Sequence, residues 1–302
     1  MSENIPLVLG ATGETGRRSA ARLRWGGAQV RAVSRSSRVR FDWSEPDTWH
    51  AVLQDAAVAC VVAPSDPNPA HRFVAQAASA GVQRMVLLSG RGVDGWDHSS
   101  FGPDMRSAEG AVRSSSVGWT ILRASNSAQN FDEDLFHAPL VAGELALPAG
   151  AVPEPFIDAE DVAGAAVAVL TEPARHTGRI YELTGSRAVT FAEAVELFSR
   201  ASGRQLTYRQ VSGDEYVSTL VKQGFDRREA GQIAELFVLM ESGLTAETTE
   251  DLAAVPGEKP RTFEDYVVRA GRQQERGTSG ARPADPPPVS VTPPRAQAST
   301  SP

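Results

Sequence analysis

The stretch Ile5-Pro-Leu-Val-Leu-Gly-Ala-Thr-Gly-Glu-Thr-Gly-Arg-Arg18 constrains the fold more than any other part of the chain. Leu7, Val8 and Leu9 read as a short buried strand. Gly10-x-x-Gly13-x-x-Gly16 reads as a loop, and a helix follows it. One glycine permits the tight turn out of the strand. The next lets the backbone approach a pyrophosphate with no Cβ in the way, and the third lets helix and strand pack closely. The N–H groups opening the helix then face an anion. The spacing is one residue longer than Gly-x-Gly-x-x-Gly. Its position between an apolar run and a helical pattern makes it a dinucleotide-binding signal rather than a bare turn. The cofactor-binding candidates here are Gly10, Thr12, Gly13, Glu14, Thr15 and Gly16.

The helix should stop at Gly26-Gly27, and residues 29–35 should form the second strand. The end of that strand selects between cofactors. An NAD-binding unit carries Asp or Glu about 20 residues beyond the loop, to accept from the ribose hydroxyls. This chain has Ser34, Arg35 and Ser36. A carboxylate would repel a 2′-phosphate, whereas a guanidinium flanked by hydroxyls holds one. NADPH is therefore the expected cofactor; the alternative is a solvated surface arginine. Asp42, between Phe41 and Trp43, falls in an expected short strand, either as an adenine-edge contact or as a solvated loop residue.

Further along, 47–55 reads as helix and 58–63 as an apolar strand ended by Pro64-Ser65-Asp66-Pro67. Residues 68–80 read as helix and 84–90 as another apolar strand. Alternation of helices with continuous apolar strands defines an α/β fold, a doubly wound parallel sheet of the Rossmann kind. Ala63, Pro64 and Ser65, at a strand end, join the cofactor candidates. Later come the capping patterns Asp158-x-x-Asp161, Thr190-x-x-Glu193, Ser212-x-x-Glu215 and Thr262-x-x-Asp265, and an apolar face over 232–240. They predict a smaller, mostly helical C-terminal lobe. The expected organisation is a nucleotide-binding domain over 1–135, with contributions from 156–185. Residues 136–155 and 186–270 form a substrate lobe, with 131–155 as a lid. Residues 271–302, rich in Pro, Ser, Gly and Arg, form a disordered tail.

The net charge of −7 argues against a nucleic-acid-binding surface. No segment approaches the roughly 20 apolar residues of a membrane span, and no charged-then-apolar leader pattern opens the chain, so a cytoplasmic protein is expected. Cys60 is the single cysteine, which excludes an intrachain disulfide and a cysteine-based metal cluster; a buried inert thiol is expected. No metal is expected. Lys occurs only at 222 and 259, a bias that suggests a GC-rich bacterial genome.

The chain resembles NmrA-like members of the atypical short-chain dehydrogenase/reductase superfamily. The resemblance rests on Gly10-Ala-Thr-Gly-Glu-Thr-Gly16, the strand ending at Ser89, Glu109, Trp119-Thr-Ile-Leu-Arg123 and Gln129-Asn-Phe131. It continues in Phe156-Ile-Asp-Ala-Glu-Asp-Val-Ala163, Gly178-Arg-Ile-Tyr-Glu-Leu-Thr-Gly185 and Pro260-Arg-Thr-Phe-Glu-Asp-Tyr266. The resemblance implies a serine working with a Tyr-x-x-x-Lys pair as proton relay. Ser89 stands where the serine would be, but the pair's place falls at Phe101 and Met105. A slip of one residue gives Gly102 and Arg106, so the relay is absent on either alignment. Such loss is common in this family, some of whose members reduce quinones while others bind NADP(H) and regulate.

The remaining candidates follow from strand ends and loops. His98, beside Asp97 in the 92–104 loop, is a candidate acid near neutral pH. Trp96 and Phe101 either stack on a flat substrate or pin that loop. Ala124 follows the strand at 119–123, where the resemblance implies passage of the nicotinamide. Asn126, Gln129 and Asn130 are candidate hydrogen-bonding groups, with turn capping as the alternative. Phe136 and His137 are candidate substrate contacts on the lid. Catalytic candidates are thus His98, Ser89 and Asn126. The expected activity is NADPH-dependent reduction, or reductive coupling, of a quinone or flat aromatic small molecule, aromatic polyketides included. Neither nucleic acid nor membrane is an expected partner. The alternative is a catalytically silent NADP(H) sensor acting on a protein partner.

Overall fold

A computed structural model describes residues 5–96, 99–255 and 259–278. The first half comprises β1 (Leu7–Leu9), α1 (Glu14–Trp25), β2 (Arg31–Val33), α2 (Trp49–Leu53), β3 (Val58–Val62), α3 (Pro69–Ser79), β4 (Arg84–Gly90), α4 (Pro103–Arg113) and β5 (Gly118–Ala124). A 3-10 turn (Ala128–Phe131) leads into α5 (His137–Ala142), β6 (Glu144–Leu147), α6 (Ala159–Thr171), α7 (Pro173–His176) and β7 (Arg179–Leu183). The described residues end with α8 (Phe191–Ser202), β8 (Thr207–Gln210), α9 (Gly213–Lys222), α10 (Arg227–Glu241), α11 (Asp251–Ala254) and α12 (Phe263–Thr278).

Six strands form one parallel sheet in the order β2-β1-β3-β4-β5-β7. The chain leaves β1 toward β2 and then crosses to the other side of β1 for β3. That reversal opens a crevice beyond the carboxyl ends of β1 and β3, where doubly wound sheets bind ligands. Alternation along β1 decides which layer each side chain joins. Leu7 and Leu9 pack with Trp49, Phe73, Leu87 and Ile121 under α2, α3 and α4. Val8 packs with Cys60, Val86 and Leu122 against Ala20 and Leu23 of α1 and Val162 and Ala166 of α6. Cys60 is buried, and desolvation pushes its thiol up to about 12.

A third core lies outside the sheet. Phe131, Phe136, Phe156, Phe191, Phe198, Phe237 and Phe263 meet there, with Phe131 and Phe136 ring centroids 5.2 Å apart at 63°. Phe131 stacks on Phe198 at 5.3 Å. The 131–155 segment, expected as a lid, is built into this core: α5 and β6 arise within it, and β6 pairs in parallel with β8. Apolar periodicity over Phe136, Leu140, Leu145 and Leu147 drives the burial, since all four are 3% exposed or less.

Three other expectations change. No strand forms around Asp42, because its carboxylate accepts from both the N–H and hydroxyl of Ser44 and turns the chain. Helix α4 starts at Pro103, inside the stretch read as the 92–104 loop, after Gly102 turns left-handed at φ +76°. The last helix continues through Ala270 to Thr278, eight residues into the stretch assigned to the tail. The Arg-Gln-Gln-Glu-Arg run there consists of good helix formers. The Thr190, Ser212 and Thr262 hydroxyls each accept from the N–H three residues on, as their capping patterns predict. Asp158 also caps its helix, but through the Glu160 N–H. Among the described residues no helix is long and apolar enough to cross a membrane.

Candidate cofactor and acceptor site

The glycine loop lies at the carboxyl end of β1, in the crevice. Gly10 has φ +70°, a conformation that L side chains rarely adopt. A Cβ on Gly16 would sit 2.2 Å from the Gly10 carbonyl oxygen, so strand and helix meet there with no room for a side chain. A Cβ on Gly13 would lie 3.2 Å from the same oxygen. Gly13 is the N-cap of α1, and no side chain caps the helix. Its first-turn N–H groups have no acceptor within the helix and are left for a ligand.

Glu14 opens α1 and points across to the end of β5, where its Oε1 accepts from the Ser127 hydroxyl. Burial pushes its carboxyl up to about 7. The Ser127 bond and nearby Arg18 oppose that rise, and the charges of Glu133 and Asp134 add to it. Glu14 is therefore half ionised near neutrality, beside the glycine loop.

The turn after β2 is organised by a serine that sequence reasoning passed over. Ser37 Oγ accepts from the Ser34 N–H at 2.8 Å and donates to the Ser34 carbonyl at 2.9 Å. The Ser34 and Ser36 hydroxyls lie 3.3 Å apart, and Arg35 and Arg38 are exposed on this turn. Asp42 instead pairs with Arg40 at 3.0 Å, and the Ser44 hydrogen bonds help hold its carboxyl below the usual range. Its carboxylate is committed locally rather than aimed at an adenine. Across the crevice, Ala63 follows β3, with Pro64 buried and Ser65 exposed.

At the ends of β4 and β5 the structure brings together the groups expected near a nicotinamide. Gly90 is in register with Ala124, and Ser89 with Arg123. Ser89 is 5% exposed, and its hydroxyl has no hydrogen-bond partner among the described residues. The relay positions are filled by apolar atoms: a Cβ on Gly90 would meet Met105 Sδ at 2.7 Å and the Trp96 ring at 2.8 Å. Arg106 donates to the Trp96, Phe101 and Ser99 carbonyls, so it shapes the loop and is no substitute for the lysine. Trp96 is 4% exposed and meets Phe101 edge-on at 5.1 Å. Trp96 therefore pins the loop from inside and is not a stacking surface; Phe101 stays half-exposed. His98 and its neighbour Asp97 lie outside the described residues.

A buried arginine ties this region down. Arg123 bonds Glu109 at 2.8 Å, Asp94 at 2.7 Å and Glu182 at 3.0 Å, joining α4, the turn before Trp96, and β7 to β5.

The remaining candidates divide. Asn126 stands at the end of β5 with its N–H donating to Glu154 Oε1 at 3.2 Å and its carbonyl accepting from the Ile157 N–H. Gln129 is 3% exposed, with its side chain donating to Asp158 and accepting from the Ala159 N–H. It builds the start of α6 and is unavailable to a substrate. Asn130 accepts the Phe136 N–H through its carbonyl, a turn-forming role. Phe136 is a core residue rather than a substrate contact, and His137 opens α5 half-exposed.

Beyond Ser37, residues that sequence reasoning missed are Ser127, Arg91, Glu154 and Thr245. Glu154, flanked by Pro153 and Pro155, is 1% exposed. An acidic residue between prolines in an otherwise apolar approach to Phe156 was the available signal.

A parallel doubly wound sheet with an uncapped glycine loop at its switch point defines a Rossmann-type dinucleotide-binding fold. The chain belongs to the NmrA-like family, which it matches over residues 70–267. It is 30% identical over 280 residues to the uncharacterized oxidoreductase YesF of Bacillus subtilis, spanning 89% of this chain and 96% of that protein. It is also 30% identical over 278 residues to (4-alkanoyl-5-oxo-2,5-dihydrofuran-3-yl)methyl phosphate reductase of Streptomyces griseus, covering 86% of this chain and 95% of that one. Among solved structures, the NADPH-dependent quinone oxidoreductase QOR2 of Escherichia coli, complexed with NADPH, superposes with a TM-score of 0.71 at 22% identity. The match covers 88% of this chain and 99% of that one.

Proposed function

We propose that this protein is an NADPH-dependent oxidoreductase that reduces a quinone or related flat conjugated acceptor, a class that takes in aromatic polyketides. The observation that carries this reading is an intact dinucleotide loop combined with Phe101 and Met105 at the positions of the missing proton relay. A quinone tolerates that loss, because its product oxygens take protons from water. The names of the YesF and Streptomyces relatives support an enzyme over a silent sensor, and the likeness to QOR2 is in keeping with the acceptor class.

The residues present fit the cofactor, as no side chain caps α1 and the first-turn N–H groups beside the glycine loop are open to an anion. The N–H groups of the 10–16 loop and α1 would hold the pyrophosphate, and Ser34, Arg35 and Ser36 the 2′-phosphate. Ser37 fixes their turn. Ala63, Pro64 and Ser65 flank the crevice, and Ser89, Ala124 and Asn126 border the nicotinamide end. Bound NADPH supplies a hydride. The protein's own work is to orient the ring against the acceptor and offer hydrogen bonds to charge developing on the acceptor.

Purified protein with NADPH and a panel of quinones tests this. Acceptor-dependent loss of NADPH, with hydroquinone as product, is the expected result. Tight NADPH binding without turnover of any quinone or aromatic acceptor would end this reading.

A further inference from the structure

Glu154 occupies an unusual place. Its backbone pairs with Val189 in both directions, by the Glu154 N–H to the Val189 carbonyl at 2.9 Å and the return bond at 3.0 Å. Its side chain is turned inward. Oε1 accepts from the Asn126 N–H, and Oε2 accepts from the Thr245 hydroxyl at 3.0 Å. Thr245 is held from its other side, where Arg91 donates to its carbonyl at 2.6 Å. Arg91 also bonds the Glu247 carbonyl and approaches Glu182 at 3.7 Å. An apolar side chain would fill a 1%-exposed position without the cost of desolvating a carboxylate.

These contacts converge on Asn126. The Glu154 and Ile157 bonds fix its backbone from both sides. Its side-chain Nδ2 faces Met240 Sδ at 3.6 Å, where α10 reaches the end of β5. No described donor meets its Oδ1, which is left as an open acceptor. Thr245 lies five residues beyond Met240, so Glu154 ties β5 and the segment after α10 to one buried point.

We infer that Glu154 is a positioning residue for the nicotinamide end of the site. It holds Asn126 and the 240–247 segment so that the Asn126 carboxamide oxygen faces a donor on the cofactor or the acceptor. A nicotinamide carboxamide NH2 and the hydroxyl of a reduced quinone both have that chemistry. The inference rests on the oxidoreductase reading above.

The test uses the full chain with NADPH and a quinone that it reduces. It reads turnover, and separately the fluorescence of bound NADPH, which reports the surroundings of the nicotinamide without any acceptor. Glu154→Ala should lower kcat about tenfold and shift the bound emission, with the NADPH Kd within about twofold, because the phosphates bind elsewhere. Glu154→Gln should restore most of kcat, since its amide can accept from Asn126 and donate to the Thr245 oxygen. Thr245→Val, which removes one tie and keeps the volume, should raise KM for the quinone several-fold. A purely structural Glu154 would lower thermal stability while leaving kcat, KM and emission of the folded variants unchanged, and that result overturns the inference. If Glu154→Ala fails to fold, Thr245→Val decides: a raised KM or shifted emission supports the inference, and wild-type values overturn it. A wild-type protein that reduces no acceptor ends the oxidoreductase reading alone; the emission of the variants still decides the positioning role.

Discussion

The Ser127 hydroxyl donates to the Glu14 carboxylate, linking the loop after β5 to the first turn of α1. This bond places a carboxyl that titrates near neutrality next to the expected pyrophosphate site. Its folded value of about 7 lies above the ordinary 4.5. A raised acid contributes stability that is fully present below about 4.5 and is lost as pH rises through about 7. Cofactor affinity should follow the same direction, since an ionised Glu14 repels phosphate and a protonated one does not. NADPH affinity measured by titration should fall across pH 6 to 8 relative to Glu14→Gln, in which that component is missing. Parallel pH curves for wild type and variant would rule the effect out.

Arg35 sits on the Ser34–Ser37 turn, exposed toward solvent. If it meets the 2′-phosphate, Arg35→Ala removes a charge-assisted contact worth about 1.5–3 kcal/mol, roughly tenfold or more in Kd. NADPH binding should weaken by that factor and NADH binding by less than about twofold. Calorimetry with both cofactors checks this, and equal losses would remove Arg35 from the site.

The glycines of the loop should separate by role. Gly16→Ala drives a Cβ to 2.2 Å from a backbone oxygen that cannot swing away. Overpacking of this kind costs about 1–3 kcal/mol, visible as a lower urea midpoint. Gly13→Val meets that oxygen less closely, at 3.2 Å, and should keep the fold while abolishing cofactor binding. Normal NADPH affinity in folded Gly13→Val would show that no phosphate approaches this loop.

Arg123 is the cation for Glu109, which is only 4% exposed. Arg123→Leu leaves that carboxylate buried without its partner and should cost about 3–5 kcal/mol. Adding Glu109→Leu should recover part of the loss, because the unpaired charge goes with it. A single-variant cost below about 1 kcal/mol in urea unfolding would show that the pair is solvated.

Phe101 is the half-exposed member of the Trp96–Phe101 pair. Phe101→Ala should raise KM for a flat acceptor about tenfold through lost stacking, with NADPH affinity unchanged. Steady-state kinetics at fixed NADPH checks it, and unchanged KM would leave the ring with a loop-packing role only.

Much of the architecture was legible because local pattern and tertiary place agree. Leu7-Val-Leu9 runs into a glycine loop whose spacing has one structural use, and β3, β4 and β5 are apolar runs of the right length. The candidate site was legible where it depends on backbone, as at Gly10, Gly13 and Gly16. It was misread where it depends on side-chain direction. Phe136 sits in a segment that reads as a loop, yet its ring points inward, while buried Trp96 takes the loop-pinning one of its two readings. Gln129 is polar and near the site, but its amide is consumed by Asp158, 29 positions along. Asp42 was placed in a strand because Phe41 and Trp43 flank it, whereas its own carboxylate makes a turn with Ser44. Glu154 meets Thr245 across 91 positions, a contact that no local pattern announces.

The parallel pairing of β6 with β8 bears on the order in which the molecule comes together. Glu144–Leu147 cannot acquire its neighbour until Thr207–Gln210 has been synthesised, and a side-by-side strand pair in one direction always waits on a long intervening crossover. The six-stranded sheet needs nothing beyond β7, so it has all its strands while the phenylalanine cluster still lacks Phe191, Phe198, Phe237 and Phe263. On the ribosome, Phe131 and Phe136 therefore remain uncovered until the residues through Phe263 have emerged. A nascent chain stopped between β7 and α12 would carry a finished sheet and a sticky, half-built lobe, the species on which chaperones and proteases would act first.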